Sequence, residues 1–127
     1  MGDILTIPFN GTVLAGAEKT LVSRRLDFAY RVTRLRVSFP LNTNRTTQVS
    51  FFVSPDGSTP STGKPTGQDL MGQYSATPYF VGDDEYKDME HSVSITGRGT
   101  YIKVYALNSD AFNHIIDAQV MIERLES

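Results

Sequence analysis

Alternation of apolar and polar residues at every second position recurs along this chain. Met89, His91, Val93 and Ile95 alternate with Glu90, Ser92 and Ser94. Ile102, Val104 and Ala106 alternate with Tyr101, Lys103 and Tyr105, and Ile116, Ala118, Val120 and Ile122 with Asp117, Gln119, Met121 and Glu123. Val49, Phe51 and Val53 repeat the pattern. A pleated strand sends successive side chains to opposite faces, so each run has one core face and one wetter face. Sheets of that kind are usually antiparallel.

Further strands are expected at 3–9, 12–15, 19–26 and 30–39, with a short one from Leu70 to Tyr74. In 30–39, Tyr30 and Val32 share one parity while Leu35, Val37 and Phe39 share the other, which predicts a β-bulge near Thr33-Arg34. Thr96-Gly97-Arg98-Gly99 separates two alternating runs, and its glycines suit a tight antiparallel hairpin. No segment carries a sustained helical stripe, and the best place for a helical turn is Asp83 to Met89. The pattern predicts one all-β domain spanning 1–127. It is an antiparallel β-sandwich of about eight strands, jelly roll first and simpler Greek key second. The stretch 54–69 contains three prolines, three glycines and no large apolar residue. It reads as an exposed loop, or else as a contact arm that orders on a partner.

The chain has 127 residues and no cysteine, which excludes disulfides and thiolate metal sites. Its N-terminus lacks the basic and apolar regions of a signal peptide. Met1-Gly2 begins a permissive match to a myristoylation pattern, which is set aside. No apolar run reaches membrane-spanning length. Charge is unevenly spread: residues 1–64 hold eight Lys/Arg against four Asp/Glu, and residues 65–127 four against ten. Halves of opposite sign attract, within a subunit or between neighbours.

Catalytic and metal motifs are absent. His91 shares the Met-Val-Ile parity of its strand and reads as core, and His114 starts a strand near Asp117. No nucleophile elbow ties either to a serine. Asp83, Asp84, Glu85 and Asp88 could supply oxygens to Ca²⁺, but their order is not that of a calcium loop, and a solvated turn is preferred. No phosphate-binding glycine loop opens a helix. Asn10-Gly11-Thr12 and Asn44-Arg45-Thr46 match the glycosylation triplet and read as ordinary turns. The expectation is a protein without catalytic residues, cofactor or metal.

Arg24, Arg25, Arg31, Arg34, Arg36 and Arg45 make up half of the 12 positive charges. A nucleic-acid surface would need such a basic face, with aromatics to stack on bases. The chain is acidic overall, with pI near 5.6, and lacks the aromatic motif of an RNA-binding sheet. Arginine also pairs bidentately with carboxylates. The favoured reading is an arginine strand facing acidic strands, with Glu90, Asp117, Glu123 and Glu126 as partners, across a sheet or across a subunit boundary.

The pair of segments in "AEKTLVSRRLDFAYRVTRLRVSFP", the Pro/Gly-rich loop after it, and the closing "GTYIKVYALNSDAFNHIIDAQVMIERL" together resemble small β-sandwich accessory proteins of tailed-phage virions. Head-decoration proteins and related adaptor or fibre modules are of this kind. The resemblance implies a structural protein, assembled in the host cytoplasm on a capsid or tail, often as a symmetric homo-oligomer. On that reading Phe52, Tyr101 and Tyr105 anchor contacts, and Arg31, Arg34 and Arg36 fix register by charge pairing. The same three aromatics could instead form a second sheet face covered by a loop. The main rival is a carbohydrate-binding sandwich using Tyr74, Tyr79, Tyr101 or Tyr105. A single-stranded nucleic-acid module is third.

Overall fold

The computed structural model describes residues 3–60, 63–71 and 79–125. Within them are eight strands: β1 (Ile4–Val13), β2 (Glu18–Val22), β3 (Tyr30–Phe39), β4 (Thr47–Ser54), β5 (Gln68–Asp69), β6 (Glu85–Ile95), β7 (Tyr101–Asn108) and β8 (His114–Arg124). They form two four-stranded antiparallel sheets, ordered β1-β8-β3-β6 and β2-β7-β4-β5. Every connection crosses between the sheets except β4 to β5. This is a jelly roll, two Greek keys wound into a sandwich. Among the described residues no helix is long and apolar enough to cross a membrane.

The alternating rows meet in the middle. Val32, Leu35, Val37 and Phe39 of β3 and Ile116, Ala118, Val120 and Ile122 of β8 pack with Val49, Phe51 and Val53 of β4 and Ile102, Val104 and Ala106 of β7. Tyr30 joins this core and bonds its hydroxyl to that of Thr100 at 2.9 Å. Truncating a fully buried leucine such as Leu35 to alanine would cost about 2–5 kcal/mol in lost burial and cavity. The bulge expected near Thr33 is present: the register of β3 shifts between Val32 and Arg34 against both neighbours. The extra residue keeps Val32 and Leu35 inward together.

Several boundaries depart from the sequence reading. β1 runs unbroken through Asn10-Gly11, where Leu21 packs 3.2 Å from the position a Cβ on Gly11 would take. β2 ends at Val22, and beyond it Leu26 makes only a bridge to Thr100. No helical turn forms at 83–89. Asp84 has φ 51°, left-handed backbone, and β6 starts at the next residue. The hairpin across Thr96–Gly99 is also absent. β6 pairs with β3 and β7 with β2 and β4, so this turn carries the chain from one sheet to the other. Gly99, at φ 78°, lies against the Arg25 guanidinium and hydrogen-bonds Leu26. The short strand falls at Gln68–Asp69, followed by buried Leu70 and Met71 in a turn. Tyr74 lies outside the described residues.

The described parts of the 54–69 stretch, 54–60 and 63–69, close on the second sheet. Gly57 sits against the ring of Tyr101, Gly63 donates its N–H to Glu18, Pro65 is buried, and Gly67 turns the chain back into β5. Gly67 has φ 125° and lies against the carbonyl of Val53, which a Cβ would strike. Gly67→Ala is therefore expected to cost about 2 kcal/mol or more. A urea titration followed by circular dichroism checks this, with Gly63→Ala, where no neighbour stands within 4 Å, as the milder control.

Candidate interaction site

The outer face of the first sheet holds the arginines. Because the bulge absorbs Thr33, Arg31, Arg34 and Arg36 all project from the same side of β3. Each lies directly across from a carboxylate in register: Arg31 from Glu123 on β8, Arg34 from Glu90 and Arg36 from Asp88 on β6. Arg31 Nη2 reaches Glu123 Oε1 at 2.6 Å. Arg34 bridges Asp88 Oδ1 at 2.5 Å and Glu90 Oε1 at 3.2 Å. Arg36 donates to Asp88 Oδ2 from Nε at 3.2 Å and from Nη2 at 2.9 Å. It also lies over the exposed ring of Tyr86, 5.3 Å from its centroid.

Burial pushes the Asp88 carboxyl up, but the hydrogen bonds and charges of Arg36 and Arg34 outweigh it and hold it below the usual carboxylate range. Arginine and carboxylate thus pair across the sheet, within one subunit. Of the acids expected from sequence, Glu90 and Glu123 take this part. Asp117 stands opposite Ser38, and Glu126 lies outside the described residues. Asp88 was missed because 83–89 reads as a turn. Extending the β6 alternation back to Glu85 places Asp88 on the Glu90 face.

On the second sheet, Phe52, Lys103, Tyr105 and Tyr101 share the outer face, beneath the 54–69 loop. Phe52 is 4% exposed and Tyr105 7%. As the chain stands these rings form the covered second face, and only Tyr101 is partly open. Tyr105 donates its hydroxyl to Glu18 Oε1 at 2.6 Å, and the same oxygen accepts the Gly63 N–H at 2.5 Å. Burial, then that bond and the charge of Glu18, push the Tyr105 phenol up to about 12. Lys103 is 0% exposed, and its Nζ has no hydrogen-bond partner among the described residues. Asp56 in the covering loop supplies countercharge. Its carboxyl is lowered first by hydrogen bonds from Ser58 and last by the charge of Lys103.

Both histidines are held by hydrogen bonds within the sandwich. His91 Nε2 is 2.5 Å from the Leu70 carbonyl oxygen. His114 Nε2 pairs with Asp110 Oδ2 at 2.8 Å, not with Asp117. Asp83, Asp84, Glu85 and Asp88 do not converge, since Glu85 and Asp88 fall on opposite faces of β6 and Asp88 is held by arginines. Among the described residues no group of three or more side chains could hold a metal ion. Of the tyrosines considered for sugar stacking, Tyr79 lines a shallow cavity of about 330 Å³ with Arg45, Met71, Phe80 and Lys87.

No protein-family model matches the chain, and no curated protein matches it in sequence. Solved structures do match in shape. A carbohydrate-binding module, CBM32-1 of a family 31 glycoside hydrolase from Clostridium perfringens, aligns over 92% of this chain and 75% of its own at 18% identity and TM-score 0.51. A chain of the capsid asymmetric unit of cyanophage Pam1 aligns over 97% and 86% at 13% identity and TM-score 0.51. A chain of the T13 particle of the virus IBDV aligns over 96% of this chain but 31% of its own, at 13% identity and TM-score 0.51. At these identities the likeness is one of fold. This chain has the jelly-roll sandwich that occurs in viral capsid proteins and in a carbohydrate-binding module.

Asp88 carries the charge balance of the first sheet, so Asp88→Asn is expected to lower stability at pH 7 by about 1 kcal/mol, or about 4 °C in Tm. The folded carboxyl lies below its unfolded value of about 3.9. Its contribution is therefore complete above about pH 4 and lost as pH falls through the folded value. Thermal melts between pH 7 and pH 2 should show the gap between wild type and Asp88→Asn closing in acid. A gap that stays constant would show that the pairing contributes nothing.

Proposed function

We propose that this chain is a non-enzymatic virion structural protein, a phage decoration or accessory subunit that self-associates and sits on a capsid or other virion protein. The observation that carries this reading is the placement of apolar surface. Leu14, Leu41, Phe112 and Ile115 are exposed at or near one end of the sandwich, and Ile4, Leu5, Val22 and Leu125 towards the other. The outer face of β3, by contrast, is an ion-pair lattice. Clustered exposed apolar side chains mark contact surfaces, whereas scattered ones are ordinary. The shared fold with a cyanophage capsid chain over most of both lengths supports the same reading.

Arg31, Arg34 and Arg36 serve this role indirectly, by pairing within the subunit and stiffening the sheet whose ends carry the open apolar side chains. Phe52, Tyr101 and Tyr105 serve it by holding the loop that closes the second face. Because the arginine charges are matched inside the subunit, association is expected to survive salt. Light scattering over a concentration series should give a discrete oligomer that persists at about 1 M salt, where unpaired surface charges are screened within about 3 Å. A monomer at every concentration and salt would overturn self-association.

A second reading, a carbohydrate-binding module, is favoured by the cavity in which Tyr79 and Phe80 stand beside Arg45 and Lys87. Glycan-array binding abolished by Tyr79→Ala, in a chain that stays monomeric, would replace the first reading with this one.

A further inference from the structure

The two apolar regions differ in shape. One is a projecting tip. Leu14, in the β1–β2 turn, is 60% exposed, and Phe112, in the β7–β8 loop, is 72% exposed. Both are fixed in place by Asn108, itself fully buried. Its Nδ2 donates to the carbonyls of Val13 and Leu14 at 3.3 Å each and of Phe112 at 2.8 Å. Gly16 N–H bonds the Asp110 carbonyl at 3.0 Å, and Ala15 N–H the Asn113 side chain at 2.8 Å. Ser109 ties the β3–β4 turn, which carries exposed Leu41, to the same hub through Thr46. A large apolar pair held this firmly in water loses little further entropy when it is covered.

The other region is a groove. It lies between the first half of β1 and the segment after β2, with Leu5, Ile7, Pro8, Leu26 and Phe28 as walls and Arg24 at its side. Its volume is about 260 Å³. An apolar cavity of about 150 Å³ suffices for a benzene ring. β1 is an edge strand, so one wall is a strand margin with no neighbour in its sheet. Leu5 and Val13 stand eight residues apart on β1. At about 3.3 Å per residue, the tip is about 26 Å from the Leu5 end of the groove and about 17 Å from its Pro8 end, so the tip cannot fill the groove of its own chain.

We propose that the Leu14–Phe112 tip of one copy docks in the Leu5–Phe28 groove of the next. Charge agrees with this pairing. Arg24 is exposed and forms no ion pair among the described residues. Asp110 lies two residues from Phe112, its carboxyl held below the usual range by the His114 hydrogen bond first and by the Ala111 N–H. Docking joins two different surfaces, so it is heterologous. Repetition closes a ring or extends a filament, according to the rotation per step. The inference deepens the assembly reading and rests on it, naming a second copy as the partner.

Complementation between two variants of the full chain tests it. Phe112→Asp disables the tip and Leu5→Arg the groove. Each alone is expected to raise the concentration needed for association at least tenfold, with circular dichroism unchanged. Mixed in equal amounts they should form a dimer and stop there, because each supplies the half that the other lacks. Leu14→Asp replaces Phe112→Asp if that variant misfolds, and Pro8→Lys replaces Leu5→Arg. Variants that still associate like wild type would overturn tip-to-groove docking and leave the assembly reading standing. A mixture that remains monomeric would overturn the docking as well. Wild type that is monomeric throughout would overturn both.

Discussion

β3 has a partner on each side, β8 and β6, along nearly its whole length, and the rest of the molecule depends on this strand. Its inner row, Tyr30, Val32, Leu35, Val37 and Phe39, is buried without exception. Its outer row carries three guanidinium groups. A strict period of two cannot hold both rows, since Arg31 and Arg34 would then face opposite sides. The bulge at Thr33 reconciles them. One inserted residue returns Leu35 to the core and puts Arg34 beside Arg36 over Asp88. Thr33 is itself fixed, its hydroxyl bonding the Met121 carbonyl at 3.1 Å. Leaving Arg34 and Arg36 on the inner side would bury unpaired cations, far more costly than one lost ladder bond.

The bulge, the two-faced sheets and the sandwich were legible in the sequence because each follows from the parity of apolar residues. What was not legible depends on which sheet a strand joins. Gly97 and Gly99 look like a hairpin in isolation, yet the chain there leaves β6 in one sheet and enters β7 in the other. Local turn chemistry supplies left-handed backbone without saying where the chain goes next. The stretch at 83–89 was misread for a related reason. Its carboxylates suggested a solvated turn, and the arginines that hold Asp88 lie 52 and 54 residues away. The arginine–acid match was legible as a pairing of opposite charges, although its placement inside one subunit was not.

The second sheet shows the limit of parity as a guide to exposure. Phe52 and Tyr105 alternate with core residues and so belong on an outer face, which is where they are. They are nevertheless buried, because the loop beyond β4 folds back over them. A loop of glycine, proline, serine and threonine brings little apolar area to that contact. What secures it is Glu18, which joins Tyr105 on the sheet to Gly63 on the loop. Small residues suit this use, since Gly67 approaches the Val53 carbonyl more closely than any side chain would permit and Gly57 lies tight against the Tyr101 ring. Lys103 beneath the loop remains the one buried ammonium without a hydrogen bond among the described residues, and Asp56 above it balances the charge at longer range.

Covering and pairing leave little of either broad face available for strong association. On the first sheet, a partner that broke the arginine pairs would have to desolvate charges already satisfied, and exposed pairs of this kind contribute at most about 1 kcal/mol each. On the second, a partner would first have to displace the loop. Large apolar side chains remain open mainly towards the two ends. There the backbone hydrogen bonds are fixed by Asn108 on one side and by the Leu26–Thr100 bridge on the other. Rigid ends between satisfied faces favour end-to-end contact over face-to-face contact. A jelly roll of this composition is therefore suited to contacts along the axis of its strands.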